Sequence, residues 1–272
     1  RGGTGHARGT RPFFAAMSVQ PPHDPYVAPA EFMARHNAAG IELRPNVPDI
    51  GRVTDRCRPA LAGYYAMIEN LDHNLGRVLQ TLCETGLDRT TYVIFFSDHG
   101  DMHGSHGMFG KHVPYAESLH IPMLILGPGP AYESAIRSVV APINHVDFAP
   151  TSLGLANIPA PDWMRGFDYS NVVPRDQPMP DNMPDSAYCQ FVRNCLGVGR
   201  PWRGVVTRDG WKYVTTSGAP WLMFNMNEDP FEQNNLVFNR SFNPKRKELH
   251  EMVGRWVEEV DDPFELPAER LS

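Results

Sequence analysis

Thr90-Thr91-Tyr92-Val93-Ile94-Phe95-Phe96-Ser97-Asp98-His99-Gly100 runs from a β-branched and aromatic stretch directly into an acid, an imidazole and a glycine. An apolar run without polar alternation predicts a strand covered on both faces, as in a parallel sheet between helix layers. Upstream, Leu61, Tyr64, Tyr65, Ile68, Leu71, Leu75, Val78, Leu79 and Leu82 recur at helical spacing, which predicts a helix over Pro59 to Glu84, with Gly86 as its stop. Downstream, Pro114 to His120 reads as a short helix and Ile121 to Leu126 as another buried strand. Helix and buried strand in alternation point to an α/β fold.

The pattern extends in both directions. The apolar stretch ending Phe13-Phe14-Ala15-Ala16-Met17-Ser18-Val19 reads as a buried strand within residues 10–19, and Ser138 to Ile143 as one more. Val146 to Leu153 reads as a helix with its polar start at Asn144. Around residues 157–185 the chain becomes rich in Pro and Asp, so we expect a partial α/β domain over 1–175 and a smaller α+β subdomain over 176–272. In the latter, Ala187 to Arg193, Trp202 to Arg208, Trp211 to Thr216 and Trp221 to Asn225 read as antiparallel strands. Asp209-Gly210 is a hairpin turn, and Lys245 to Val260 is a helix laid across the sheet.

Composition narrows the function classes. The 272 residues are 42% hydrophobic and carry a formal charge of -6, so no basic footprint for nucleic acid exists and a membrane-spanning run is absent. Cys57, Cys83, Cys189 and Cys195 form no C-x-x-C pair, which argues for free thiols over a zinc knuckle or disulfide scaffold. Arg1 to His6 offers neither an initiating Met nor a signal core, so the chain reads as starting inside a longer one, and no compartment can be read from it.

Ligand-binding groups in α/β sheets gather just past the carboxyl ends of strands, which is where Asp98 and His99 stand. A carboxylate oxygen and an imidazole nitrogen from adjacent residues can hold a hard divalent cation, and Gly100 lets the backbone turn away. An isolated Asp-His pair is more often a turn cap beside a solvated ring. A cluster of one Lys, two Asp and three His after a fully apolar strand is not explained by turn chemistry alone.

Ser97 to Lys111 resembles the sulfatase family, of alkaline-phosphatase-like fold, whose members commonly read S-D-H-G-D/E-M-x-G-x-H-G-x-x-G-K here. Phe13-Phe14 through Pro22-His23-Asp24-Pro25-Tyr26 is similar to the family's P-F-F…P-H-x-P-Y segment, and Tyr64-Tyr65-Ala66 through Gly76-Arg77-Val78-Leu79 to its Y-Y-A…D…G-R-V-L helix. Trp202 to Tyr213 and Leu222 to Leu236 resemble its carboxyl-terminal strands and L-Y-D-L-x-x-D-P-x-E-x-x-N-L turn. The resemblance implies Asp98 and His99 as metal ligands, with calcium the first expectation and manganese or magnesium as alternatives. It implies Lys111 and His23 as the catalytic and sulfate-contacting groups on a small-molecule sulfate ester. His106 matches a substrate-contacting position, with a loop-holding hydrogen bond as its other role, and Asp101 and His103 are expected behind the site or in solvent.

The family's formylglycine motif, C/S-x-P/A-x-R, and its upstream Asp-Asp pair find no counterpart. Cys57-Arg58-Pro59-Ala60-Leu61 offers C-x-P but puts Leu61 where the Arg should be, so it is a decoy. We therefore expect a sulfuric ester hydrolase fragment without its nucleophile, inactive alone and associating through an exposed sheet with another chain. A phosphate or phosphonate ester hydrolase of the same fold, or a non-catalytic remnant acting in binding or assembly, are the alternatives.

Overall fold

The computed structural model describes residues 12–128, 138–172, 180–193 and 199–268. Arg1 to His6, the start of the first expected strand, Cys195 and the expected boundary at 175 lie outside these residues. A short helix α1 (Ala30–Met33) precedes the long helix α2 (Gly51–Thr85), which begins eight residues before the expected start and runs through Pro59. Proline inside a helix costs about 3 kcal/mol. Burial of Val53 and Cys57 in the extra turns, at 6% and 0% exposure, offsets that loss. Gly86 ends α2 with φ 71°, as its position predicts.

Strand β1 (Val93–Phe96) follows, then α3 (Ala116–Leu119) and β2 (Met123–Leu126). The buried, parallel arrangement expected of β1 is not what the described residues show. β1 pairs antiparallel with β2, Val93 opposite Leu126 and Phe96 opposite Met123, and Phe96 and Leu124 are 40% and 50% exposed. The connection 97–122 holds only the four-residue α3, too little helix for a crossover that would return the chain in the same direction. Residues 12–19, read as a buried strand, join no ladder among the described residues, and Phe14 is 82% exposed because no described element lies over it. Residues 138–143, also read as a strand, are irregular, and Pro142 removes one ladder donor. Helix α4 (Phe148–Leu155) is led in by a capping box between Asn144 and Asp147, at the polar start that the sequence marks.

The carboxyl-terminal strands β3 (Ser186–Phe191), β4 (Trp202–Thr207), β5 (Trp211–Thr216) and β6 (Pro220–Asn225) form an antiparallel meander in sequence order. Helix α5 (Asn243–Glu259) covers one face: Val205, Tyr213 and Met223, aligned across three strands, pack with Leu249, Met252 and Val253. The opposite face carries Trp202, Val214, Leu222 and Phe224, which pack against Met102, Val113 and Tyr115. Met102 lies within the His- and Gly-rich loop of residues 97–111 and Val113 and Tyr115 follow it, so the small sheet is the floor on which that loop rests. Replacing fully buried Met102 by Ala should lower stability by about 2–5 kcal/mol, whereas Phe14→Ser should stay within about 0.5 kcal/mol; urea midpoints measure both.

Candidate functional site

Asp98 and His99 leave the end of β1 as the sequence predicts. The Asp98 side chain is 86% exposed; its Oδ1 accepts from the His99 N–H at 2.9 Å, and its Oδ2 lies 3.7 Å from His99 Nε2. His99 Nδ1 is 2.8 Å from the Gly100 carbonyl oxygen, an acceptor that must receive the Nδ1 proton. Nε2 is then left with a free lone pair beside the carboxylate, the tautomer a metal-ligating histidine requires. A hard oxygen and an imidazole nitrogen across a short gap suit a divalent cation. The Gly100 N–H bonds to the Ser118 oxygen at 2.9 Å, and a Cβ on Gly100 would overlap the Glu117 carbonyl oxygen. Glycine is needed there because the loop lies directly on α3.

Lys111 Nζ donates to His23 Nε2 at 2.8 Å, bringing together two residues 88 positions apart. His23 Nδ1 is 2.9 Å from both the carbonyl oxygen and Oδ1 of Asp24. Lys111 lines a cleft of about 200 Å³ together with Asp24, Tyr26 and Asp101, among others. His112 is next in the chain, and burial and the positive charge of Lys111 hold its imidazole below the ordinary value.

Asp101 is neither a ligand nor solvated. Its carboxylate accepts from Tyr26 Oη at 2.8 Å, the His103 N–H at 3.2 Å and the Gly110 N–H at 3.1 Å. Burial and this carboxylate push the Tyr26 hydroxyl pKa well above its usual value. Tyr26 itself fits against α2 because Gly63 has no Cβ to strike its carbonyl oxygen. His103, expected behind the site or in solvent, is 6% exposed, with its ring 5.0 Å from that of Tyr26 and 4.4 Å from that of Tyr64.

His106 belongs to a second cluster that the sequence does not announce. Asn46 Nδ2 lies 3.2 Å from His106 Nε2 and donates to Glu117 Oε1 at 2.8 Å and to the Phe231 oxygen at 3.0 Å, while the His106 ring stacks on Tyr115 at 4.0 Å. Ligand atoms of His106, Glu117 and Glu232 lie within 4.8 Å of one another, a spacing compatible with a metal. Charge argues otherwise. Arg44 pairs with Glu117 at 3.0 Å and buried Lys212 pairs with Glu232, so each carboxylate already faces a cation. A dication added there would compete with both cations and leave the buried Lys212 charge uncompensated. Burial raises the Glu117 carboxyl, but hydrogen bonding from Asn46 and the charge of Arg44 outweigh it and hold it below the usual range. The cluster is a latch between the loop and the small sheet. Signals for it existed only as Asn46, Glu117 and Glu232 scattered along the chain.

The fold that carries this loop and places Asp98 and His99 at a strand end is alkaline-phosphatase-like. The pattern for sulfatases matches residues 5–158, and that for "N-sulphoglucosamine sulphohydrolase, C-terminal" matches residues 104–259. An ulvan-active sulfatase of Formosa agariphila is 33% identical over 95% of the chain and 50% of its own length, and a choline-sulfatase of Rhizobium meliloti is 28% identical over 84% and 47%. The crystal structure of a putative sulfatase from Bacteroides fragilis superposes with a TM-score of 0.76 at 27% identity, over 90% of this chain and 53% of that one. A phosphonate monoester hydrolase of Agrobacterium radiobacter shares the fold, with a TM-score of 0.78 at 23% identity over 93% of this chain and 58% of that one. The chain belongs to the sulfatase family. It spans about half the length of the curated relatives it matches.

Burial also holds the His103 imidazole below its ordinary pKa. The unfolded chain therefore takes up this proton first, and the folded state should lose stability as pH falls below about 6.5. His103→Phe keeps the ring between the two tyrosines and should flatten that arm of the profile in urea titrations from pH 8 to 5.

Proposed function

We propose that this chain carries the ion-binding and anion-contacting part of a hydrolase of small-molecule sulfate esters. The observation that carries the reading is the His99 tautomer: with Nδ1 committed to the Gly100 carbonyl, Nε2 faces Asp98 Oδ2 across 3.7 Å. Asp98 and His99 would hold a divalent cation, calcium first, with manganese or magnesium as alternatives. Bound there, the ion would polarise a sulfate oxygen and stabilise negative charge as it grows.

The remaining work falls to the chain's own side chains. Lys111 would point a cationic N–H at a second sulfate oxygen. His23, in its protonated form, would give its own proton to the departing alkoxide oxygen and be left neutral, while Lys111 keeps its charge. His106 would act on substrate only indirectly, by fixing the loop. The same donors suit a tetrahedral phosphonate, and likeness to the ulvan-active sulfatase favours sulfate. Comparing aryl sulfate with aryl phosphonate turnover in a chain of the relatives' full length decides between them.

The formylglycine motif has no counterpart in this sequence, so the isolated chain should bind but not turn over. Calorimetry should show calcium binding that Asp98→Ala removes, with no aryl sulfate hydrolysis above background. Absence of any such binding would sink the reading, as would robust turnover by the isolated chain. No helix among the described residues is long and apolar enough to cross a membrane. Exposed Phe13, Phe14, Phe96 and Leu124 leave an apolar surface that water covers poorly, and we propose that another polypeptide segment covers it. Sedimentation should show self-association of the isolated chain, and a clean monomer at micromolar concentration would overturn this.

A further inference from the structure

Beside the small cleft at Lys111 lies a larger one of about 570 Å³, lined by Pro48, Ile50, Arg52, Val53, Arg56, His106, Gly107 and Phe109. The two share Arg56 and Phe109, so they adjoin at those side chains. Arg52 and Arg56 stand one turn apart on α2 and face the same side. The Arg56 guanidinium carbon sits 3.8 Å from the centre of the Phe109 ring, which fixes its direction at the junction of the two clefts.

No carboxylate among the described residues pairs with Arg52 or Arg56, and none lines the larger cleft. In the smaller cleft the acids are already engaged: Asp24 with His23, and Asp101 with Tyr26 and two backbone N–H groups. His106 adds no charge near neutral pH, because burial holds its imidazole below the ordinary value. Along the groove the order is therefore Lys111, Arg56, Arg52, a row of cations in a chain whose formal charge is -6. Pro48, Ile50 and Val53 give the far end an apolar wall that limits hydration and strengthens an ion pair formed there.

We propose that the Arg52–Arg56 groove binds a second anionic group of the substrate, so that the preferred ester is at least a dianion. This rests on the reading of the Lys111 end as the sulfate site. The second group is a planar or tetrahedral oxyanion, a carboxylate or a further sulfate, since a guanidinium fork pairs with two oxygens at once. Arg52 and Arg56 are specificity-determining residues, and they take no part in breaking the ester bond.

The test is calorimetry in saturating calcium with the chain described above, using three ligands: a hexose monosulfate, the same hexose with a second sulfate, and the same monosulfate with a carboxylate. The doubly charged ligands should bind roughly tenfold tighter than the monosulfate, and the preference should shrink as salt rises. Arg52→Gln, an exposed position that lines only the larger cleft and leaves the fold intact by circular dichroism, should cut the preference severalfold and leave monosulfate affinity unchanged. Lys111→Ala should weaken all three. An unaltered preference in Arg52→Gln, or no preference in the parent chain, overturns the groove assignment while the sulfate site stands. Failure of all three ligands to bind overturns the sulfate site and the groove with it.

Discussion

One carboxylate holds the candidate site together. Asp101 receives a hydroxyl from Tyr26 and backbone N–H groups from His103 and Gly110, so the segment bearing His23 and both limbs of the loop bearing Lys111 meet on the same two oxygens. A half-buried carboxylate with three donors loses little of its hydration energy, and each charge-assisted bond contributes about 1.5–3 kcal/mol. Gly110 immediately precedes Lys111, so the contact that closes the loop also sets the place of the lysine. The hydrogen bond from Lys111 to His23 is then a consequence of geometry fixed one residue away.

Beneath this staple, the latch of Asn46, Glu117 and Glu232 ties the loop to the carboxyl-terminal sheet. Buried ion pairs such as Lys212 with Glu232 add little net stability, because desolvation consumes most of their attraction, yet breaking one partner away costs about 3–5 kcal/mol. Such pairs penalise wrong arrangements more than they reward the right one. That suits a loop with left-handed residues at His103, His106 and His112, since each such residue is held only where its surroundings determine it. The apolar side of the same bargain is the packing of Met102, Val113 and Tyr115 on Trp202 and Phe224.

What the sequence made legible follows from range. Periodicity and turn chemistry located α2, its Gly86 stop, the Asn144 cap and all four strands of the meander, because those signals are local. The pairing of β1 and the exposure of Phe13 and Phe14 depend on what lies alongside, which an apolar run does not encode. Pro59 misplaced the start of α2 because a local penalty was overruled by burial of Val53 and Cys57. Asp98, His99, His23 and Lys111 stood out through clustering and resemblance. Asn46, Glu117 and Glu232, by contrast, are ordinary polar residues until the fold carries Glu232 to the amino end of α3, where it accepts from the Ala116 N–H at 2.6 Å.

The two groupings of ligand-type atoms show why proximity alone does not define an ion site. His106, Glu117 and Glu232 are close and buried, but Arg44 and Lys212 have already balanced them, and the hydrogen bond from Asn46 uses one Glu117 oxygen. Asp98 and His99 are fewer and more exposed, yet among the described residues no Lys or Arg pairs with the Asp98 carboxylate, and backbone bonding leaves the imidazole lone pair outward. A cation gains most where negative charge is unspent and its ligands are held without being satisfied. By that criterion the strand end, with two donors among the described residues, is the better candidate for an ion, and the fuller-looking cluster is scaffold.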